Sequence, residues 1–352
     1  MRTIKKILLT SLFSCGAICT SIAQVTEPTN YISSSSSYVG TAKDYDVLFK
    51  RQNVNAGSLT TTTTTFGLDS FAPDNINGGT SIGVGAGQYT EGGSNTLVGN
   101  LAGSGIDEDH HSGIKYNCYF GSSAGAYSNG TNNVGIGDGS GTGSSGDNNV
   151  FAGVNAGLQS NGQNNILIGI QVGQNLTGSN NLIMGQNFNQ IALTCENKLI
   201  IENGWDDVSP LIWGDFEENQ LKFNAKVGIG YEFGNYPVMA GGVNVSDYNL
   251  FVKGGILTEA VRVNLESNWA DYVFNKDYNL KSLSEVEKFI NENGHLPNVP
   301  SATQVKEDGI ELGEMAKIQQ EKIEELTLYI IALNKKLEAQ DKKIELLMQT
   351  KQ

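Results

Sequence analysis

The residues best suited to chemistry are few and scattered. The chain holds 3 His and 4 Cys in 352 residues. Its densest polar run is Asp107-Glu108-Asp109-His110-His111. Carboxylate oxygens and imidazole nitrogens are the donors that chelate cations, but the plainer reading is a solvated loop. His295 precedes Pro297 in a loop, and a structural hydrogen bond is expected there rather than metal or proton chemistry. Asp138 and Asp147 sit in Gly-rich turns. The period is not the nine residues or so of a calcium-binding repeat, so turn propensity explains them better. Gly83-x-Gly85-x-Gly87 has no Walker lysine after it and no strand–helix–strand context, which argues against a nucleotide site. Tyr89, Tyr127 and Trp205 are candidate sugar-contacting aromatics. No catalytic, cofactor-binding or metal-ligating residue is assigned, and a non-enzymatic chain is expected.

Composition agrees. Glycine contributes 43 residues without a collagen-like period, well above the roughly 7% of ordinary chains. Such enrichment indicates disorder or a repeat architecture. Residues 1–23 read as a secretory signal peptide, with Arg2, Lys5 and Lys6 before the apolar run Ile7–Ile18 and Ser21-Ile22-Ala23 as cleavage site. The apolar run is shorter than the ~20 residues of a membrane span. A lipoprotein reading of Leu12-Phe13-Ser14-Cys15 fits poorly because of Phe13. The protein is therefore expected to be exported, extracellular or on the outer cell surface, without a transmembrane span. The formal charge of −14 disfavours nucleic acid partners. Only Cys118 and Cys195 remain beyond the signal, so no disulfide scaffold is expected.

The elements that would position any site follow from a repeat. Asn117-Cys-Tyr-Phe-Gly121, Asn133-Val-Gly-Ile-Gly137, Asn149-Val-Phe-Ala-Gly153, Asn165-Ile-Leu-Ile-Gly169 and Asn181-Leu-Ile-Met-Gly185 recur every 16 residues. A second glycine follows four later at Gly125, Gly141, Gly157 and Gly173, and Asn189 breaks the series. Asn95–Gly99 and Ser81–Gly85 read as less regular units. Each unit suits a strand of about four residues followed by glycine turns. No unit can bury its apolar face alone, but stacked units share one core. Asn133, Asn149, Asn165 and Asn181 would then form a side-chain ladder. With rungs about 4.8 Å apart, Cys118 and Cys195 are too distant for a disulfide.

These repeats resemble the heads of trimeric autotransporter adhesins, and more closely bacterial tail-fibre-like proteins, with Asn148-Asn149-Val-Phe-Ala-Gly153-Val-Asn-Ala-Gly157 the best match. The resemblance implies a left-handed parallel β-roll packed three to a bundle.

Flanking regions differ. Residues 24–78 are rich in Ser and Thr, including Thr60 to Thr65. Residues 191–265 carry short strands at Lys198–Glu202, Leu211–Trp213, Gln220–Phe223, Lys226–Gly230 and Tyr248–Leu257, a β-rich shaft or small barrel. In 266–312, Ser284 and Glu287 form a capping box for a helix ending by Asn293-Gly294, and His295–Pro300 reads as extended. From about Leu312 the chain reads as helical. Ile323, Ile330, Leu337 and Ile344 fill one heptad position, and Leu326, Leu333, Gln340 and Leu347 the other. Ile at a with Leu at d by itself favours a dimer.

Trp269-Ala-Asp-Tyr-Val-Phe274, Gly294-His-Leu-Pro-Asn-Val-Pro-Ser301, Leu312-Gly-Glu-Met315 and Lys322–Tyr329 resemble the C-terminal module of Bacteroidetes surface proteins. That module is similar to the tail-fibre intramolecular chaperone, peptidase family S74. The resemblance implies trimerisation and seeding of the upstream β-fibre. It also raises self-cleavage by a Ser-Lys dyad, but Ala270-Asp271 stands where Ser-Asp belongs, with Lys276 the nearest downstream lysine. A lysine base cannot replace a missing nucleophile. The expected whole is mainly β: segment 24–78, a β-roll at 79–190, a shaft at 191–265, a chaperone-like module at 266–312 and a coiled coil at 313–352. Assembly as a homotrimeric fibre is expected from the resemblance. A self-cleaving fibre and a carbohydrate-binding surface protein are the alternatives.

Overall fold

The computed structural model describes residues 46–70, 78–107, 112–186, 194–204, 209–232, 234–264 and 269–350. The expected signal peptide, residues 108–111, Asn189 and Trp205 lie outside them. The chain forms two compact units that meet in sequence at Lys222 and Phe223.

The first unit is mainly one sheet of strands in sequence order. β1 (Val47–Arg51), β2 (Val54–Leu59) and β3 (Thr63–Phe66) form an antiparallel cap. β3 then pairs in parallel with β4 (Gly79–Ile82), and the parallel stack runs on through β5 (Asn95–Val98), β6 (Cys118–Phe120), β7 (Val134–Ile136), β8 (Val150–Ala152), β9 (Ile166–Ile168), β10 (Leu182–Gly185) and β11 (Lys198–Glu202). This is a parallel β-solenoid of about eight turns. β12 (Ile212–Asp215) closes it antiparallel to β11, beside β13 (Gln220–Phe223), and Lys198 Nζ reaches Asp215 Oδ2 at 2.8 Å. The end strands shield the edges a solenoid otherwise leaves open. The stack therefore extends beyond residues 79–190 at both ends. Thr63–Phe66 and Lys198–Glu202 keep the pairing without the full Asn/Gly motif.

From β4 to β11 each strand contributes one residue to a shared inward column. The register aligns Ser81, Leu97, Tyr119, Gly135, Phe151, Leu167, Ile183 and Ile200 in one column. All but Gly135 pack as buried side chains. Gly135 is small because its neighbours are large: a Cβ there would lie 2.6 Å from Tyr119 Cδ1. Ala86, Ala102, Ala124, Ser140, Ala156 and Val172 form a second buried column.

The glycine turns prove to be a second ladder. In one turn Asn155, Gly157 and Gln159 have φ of 54°, 66° and 57°, a left-handed residue at every second position. Their amides alternate in direction. Asn155 N donates back to Asp138 O and Gln159 N to Thr142 O, both at 2.8 Å, whereas Gly157 N donates forward to Val172 O at 2.9 Å. The same alternation recurs in the neighbouring turns, so a wall that reads as turns satisfies its backbone like a strand. Gly157 serves packing too: a Cβ would lie 2.2 Å from the Phe151 ring. Gly153, where each strand bends, has φ +137°, and a Cβ there would lie 2.1 Å from Gly169 O.

The Asn ladder exists in a different form from the expected stack. Asn149 Oδ1 accepts from Asn165 N at 2.8 Å and its Nδ2 donates to Gly162 O at 2.9 Å. Asn95, Asn117, Asn133, Asn165 and Asn181 repeat both bonds to the following rung. The buried amide thus stands in for a peptide unit at the corner, where backbone pairing stops. In the buried row Asn181 Nδ2 also donates to Asn165 Oδ1 at 3.0 Å. Contact between amide side chains occurs mainly outside, where Asn148 Nδ2 donates to Asn164 Oδ1 and Asn164 Nδ2 to Asn180 Oδ1 at 3.2 and 3.0 Å. Those residues have φ near +58°, which suits asparagine.

In the second unit β14 (Val227–Ile229) pairs in parallel with β17 (Leu250–Val252), and β15 (Met239–Ala240) antiparallel with β16 (Val243–Asn244). These are two-stranded sheets, so no barrel forms among the described residues. A 3-10 helix, Ala270–Phe274, packs on the long helix α3 (Leu312–Gln349), which begins at the expected Leu312. α1 (Leu283–Asn293) is capped by Ser282 with Glu285, not by Ser284 with Glu287. Both pairs have capping-box spacing, and the earlier one is used because Ser282 is still extended. α2 (Ala302–Asp308), unanticipated, has its own box from Ser301 and Gln304. Between them His295–Pro300 turns rather than extends, because Asn298 takes φ +63° and Val299 N donates to Leu296 O.

Candidate functional site

Three features of the described surface stand out from a solvated background. The first is on the solenoid. Because strand side chains alternate, the column next to the buried one faces out. Phe66, Ile82, Phe120, Ile136, Ile168 and Met184 occupy it in register with Val98 and Ala152, and those six are 37–53% exposed. Seven rung spacings make a stripe about 34 Å long. Leu68, Val84, Val154 and Ile170 lie just past the bend and are also exposed. A contiguous apolar stripe marks an interaction surface where scattered apolar residues would not.

The second is α3. Its heptad residues Ile323, Leu326, Ile330, Leu333, Leu337, Ile344 and Leu347 are 49–65% exposed. Of this 38-residue helix only Gly313, Glu321 and Glu324 are buried.

The third is the polar seat beneath that helix. Tyr272 Oη donates to Glu321, and Tyr278 Oη to Glu325 Oε1 at 2.5 Å. Lys322 Nζ bridges Glu321 Oε1 and Glu325 Oε2, both at 2.8 Å, and Asn298 Nδ2 reaches Glu321 at 3.3 Å. Burial alone would raise the Glu321 pKa, but Lys322, Tyr272 and Asn298 together hold it below the usual value. The hydrogen bond to Glu321, with burial, pushes Tyr272 up to about 12. Burial and then Glu325 push Tyr278 up as well. Burial opposes the Lys322 charge, but Glu321 and Glu325 raise its pKa. Lysine is thereby held as a cation and is no general base. The arrangement fixes the loop holding Asn298 and the 3-10 helix onto α3.

The residues singled out by type do not converge. Ala270 is buried at the start of the 3-10 helix, and Lys276 is exposed. His295 stands edge-on to Phe289, ring centroids 5.6 Å apart, with Nδ1 3.0 Å from Leu296 O. Asp147 Oδ1 accepts from Thr131 N at 2.7 Å, a turn contact between rungs. Gly83, Gly85 and Gly87 belong to the bend and to the left-handed ladder. Tyr127 is exposed and Tyr89 half-buried, on separate rungs. Cys118 and Cys195 form no disulfide with each other, lying about five strand steps apart. No group of three His, Cys, Asp or Glu suited to a metal occurs among the described residues. No described helix is long and apolar enough to cross a membrane. Comparison with protein-family models, with curated proteins and with solved structures finds no match.

Proposed function

We propose that this chain is an exported, non-enzymatic fibre protein that assembles as a homotrimer and presents a structural or adhesive surface outside the cell. The observation that carries the reading is the exposed heptad face of α3, which spans about four heptads and is covered by nothing among the described residues. Fully burying such a side chain is worth about 1.5–3 kcal/mol, so a partner helix gives a large return. The heptads by themselves would suit one further copy, and it is the resemblance of the C-terminal motifs to a trimerising module that makes the partner two further copies of α3, wound as a parallel coiled coil. The solenoid, taken as left-handed, then packs its outer stripe against its counterparts. Parallel pairing between strands distant in sequence forms slowly. A C-terminal module that first gathers three chains would set the register of the rest.

Cleavage forms no part of this reading, since Ala270 carries no nucleophile. Light scattering on the exported protein tests the assembly: a trimer is expected, and a monodisperse monomer at micromolar concentration would end the proposal. A denaturing gel tests the self-processing alternative. It should show one full-length band, and a separate fragment of about the last 80 residues would favour cleavage.

A further inference from the structure

The second unit contains a cleft of about 450 Å³ lined by Gly228, Tyr231, Glu232, Gly234, Asn235 and Tyr236. Ligand sites typically enclose roughly 300–1,000 Å³ and combine aromatic walls with a few polar groups. Parallel pairing of β14 with β17 brings Phe251 opposite Gly228. On this buried ring Tyr236 lies nearly flat, centroids 4.7 Å apart and planes 20° from parallel. Tyr231 stands edge-on to Phe251 at 6.3 Å and 84°. The Tyr236 ring is held in place: its Oη donates to Lys226 O at 3.1 Å. Gly228 lets it approach, because a Cβ there would lie 2.7 Å from the ring. The outcome is a braced aromatic corner with one wall, Tyr231, largely open to solvent.

Polar chemistry at the rim selects the ligand. Glu232 and Asn235 are exposed, and their side chains engage no other described residue. A carboxylate accepts two hydrogen bonds, and an amide both donates and accepts. That pair matches neighbouring hydroxyl groups on a ring. Charge and access narrow the other occupants of the aromatic corner. Lys226 Nζ already stands over Phe251, 5.8 Å from its centroid, and donates to Ser246 O. With Tyr236 stacked on it as well, Phe251 is closed to a cationic ligand, and an anionic one would meet Glu232.

The geometry points to a binding site for one ring of a neutral saccharide, its apolar face on Tyr231 or Tyr236 and its hydroxyls on Glu232 and Asn235. The site is distinct from the aromatics singled out in the repeats, and it does not depend on the assembly proposed above.

The test is saturation-transfer NMR on the full exported chain with glucose, galactose, mannose and N-acetylglucosamine, and with choline as cationic probe. At least one sugar should receive saturation at its ring protons. Tyr231→Ala should weaken that binding roughly tenfold, equivalent to about 1.4 kcal/mol. The isosteric Glu232→Gln should weaken it without altering the circular dichroism or the mass of the assembly. No transfer to any of the four sugars would overturn the assignment. So would binding that both substitutions leave unchanged, or a preference for choline. A monomer that binds sugar would uphold this site while ending the fibre proposal, so the two fail separately.

Discussion

The solenoid and helix α3 solve the same problem in opposite ways. Each presents a periodic apolar row. In the solenoid the row of Tyr119, Phe151, Leu167 and Ile183 is fully buried by its own chain, because a rung every 16 residues supplies the neighbour. In α3 the row of Ile323, Leu326, Ile330 and Leu333 finds no such neighbour among the described residues and stays half exposed. The difference is one of return length. The roll turns back on itself within a rung, whereas a straight helix never meets itself. A solenoid can therefore be stable rung by rung, while in the proposed assembly α3 would be covered by another copy of itself.

The sharpest way to break the solenoid side of this contrast is at a bend. Gly153→Ala places a Cβ 2.1 Å from the Gly169 carbonyl oxygen in a backbone with φ +137°. Neither rung can move without breaking register. The loss should exceed about 3 kcal/mol, beyond most single substitutions. Thermal unfolding of the variant should show an early transition of the roll, or insoluble protein.

Next comes the corner amide. Asn149→Ala strands the Asn165 amide and the Gly162 carbonyl, both in the buried corner. Each unsatisfied buried group costs about 1–3 kcal/mol. Asn148→Ala, one residue earlier and exposed, removes only an outside amide contact and should cost less than half as much. Chemical unfolding of the two variants side by side checks the order, and equal losses would contradict the peptide-mimic role.

Acid should act on the second unit before the roll. Glu321 has its pKa lowered on folding. Its contribution is therefore present above the ordinary carboxylate range and is lost as pH falls through the lower folded value. The interior of the roll is neutral by contrast, its buried polar groups being Asn, Ser, Thr and Tyr119. Hydrogen exchange on an acid series should show protection lost around Asn298 and α3 while Asn117–Asn181 stay protected. At the alkaline end the two regions should not separate, since burial pushes Tyr119 up to about 12 and Glu321 does the same for Tyr272. In both, stability is retained up to the unfolded tyrosine pKa, near 10, and is lost as pH rises towards 12.

The sequence made the solenoid readable because its 16-residue period survives in Gly121, Gly137, Gly153, Gly169 and Gly185. Its ends were not readable, since Thr63–Phe66 and Lys198–Glu202 join in register without carrying the full Asn/Gly motif. The alternating left-handed wall was hidden for another reason. Leu101, Tyr127, Asn155 and Gln171 share a positive φ but no chemistry, so only the glycines among such positions announce it. The α1 start slipped by two residues because Ser282 and Ser284 both satisfy the capping pattern. The aromatic corner left no periodic trace at all. Tyr231, Tyr236 and Phe251 meet only because β14 pairs with β17 across the intervening hairpin.

Native mass spectrometry of the exported chain beside a double variant, Ile330→Asn with Leu333→Asn, tests the contrast most directly. Both side chains are exposed in the single chain, so the substitutions leave the solenoid untouched. The account predicts three chains for the wild type and one for the variant, with the β-type circular dichroism of the roll retained in both. A monomeric wild type, or a variant that stays trimeric, would contradict it.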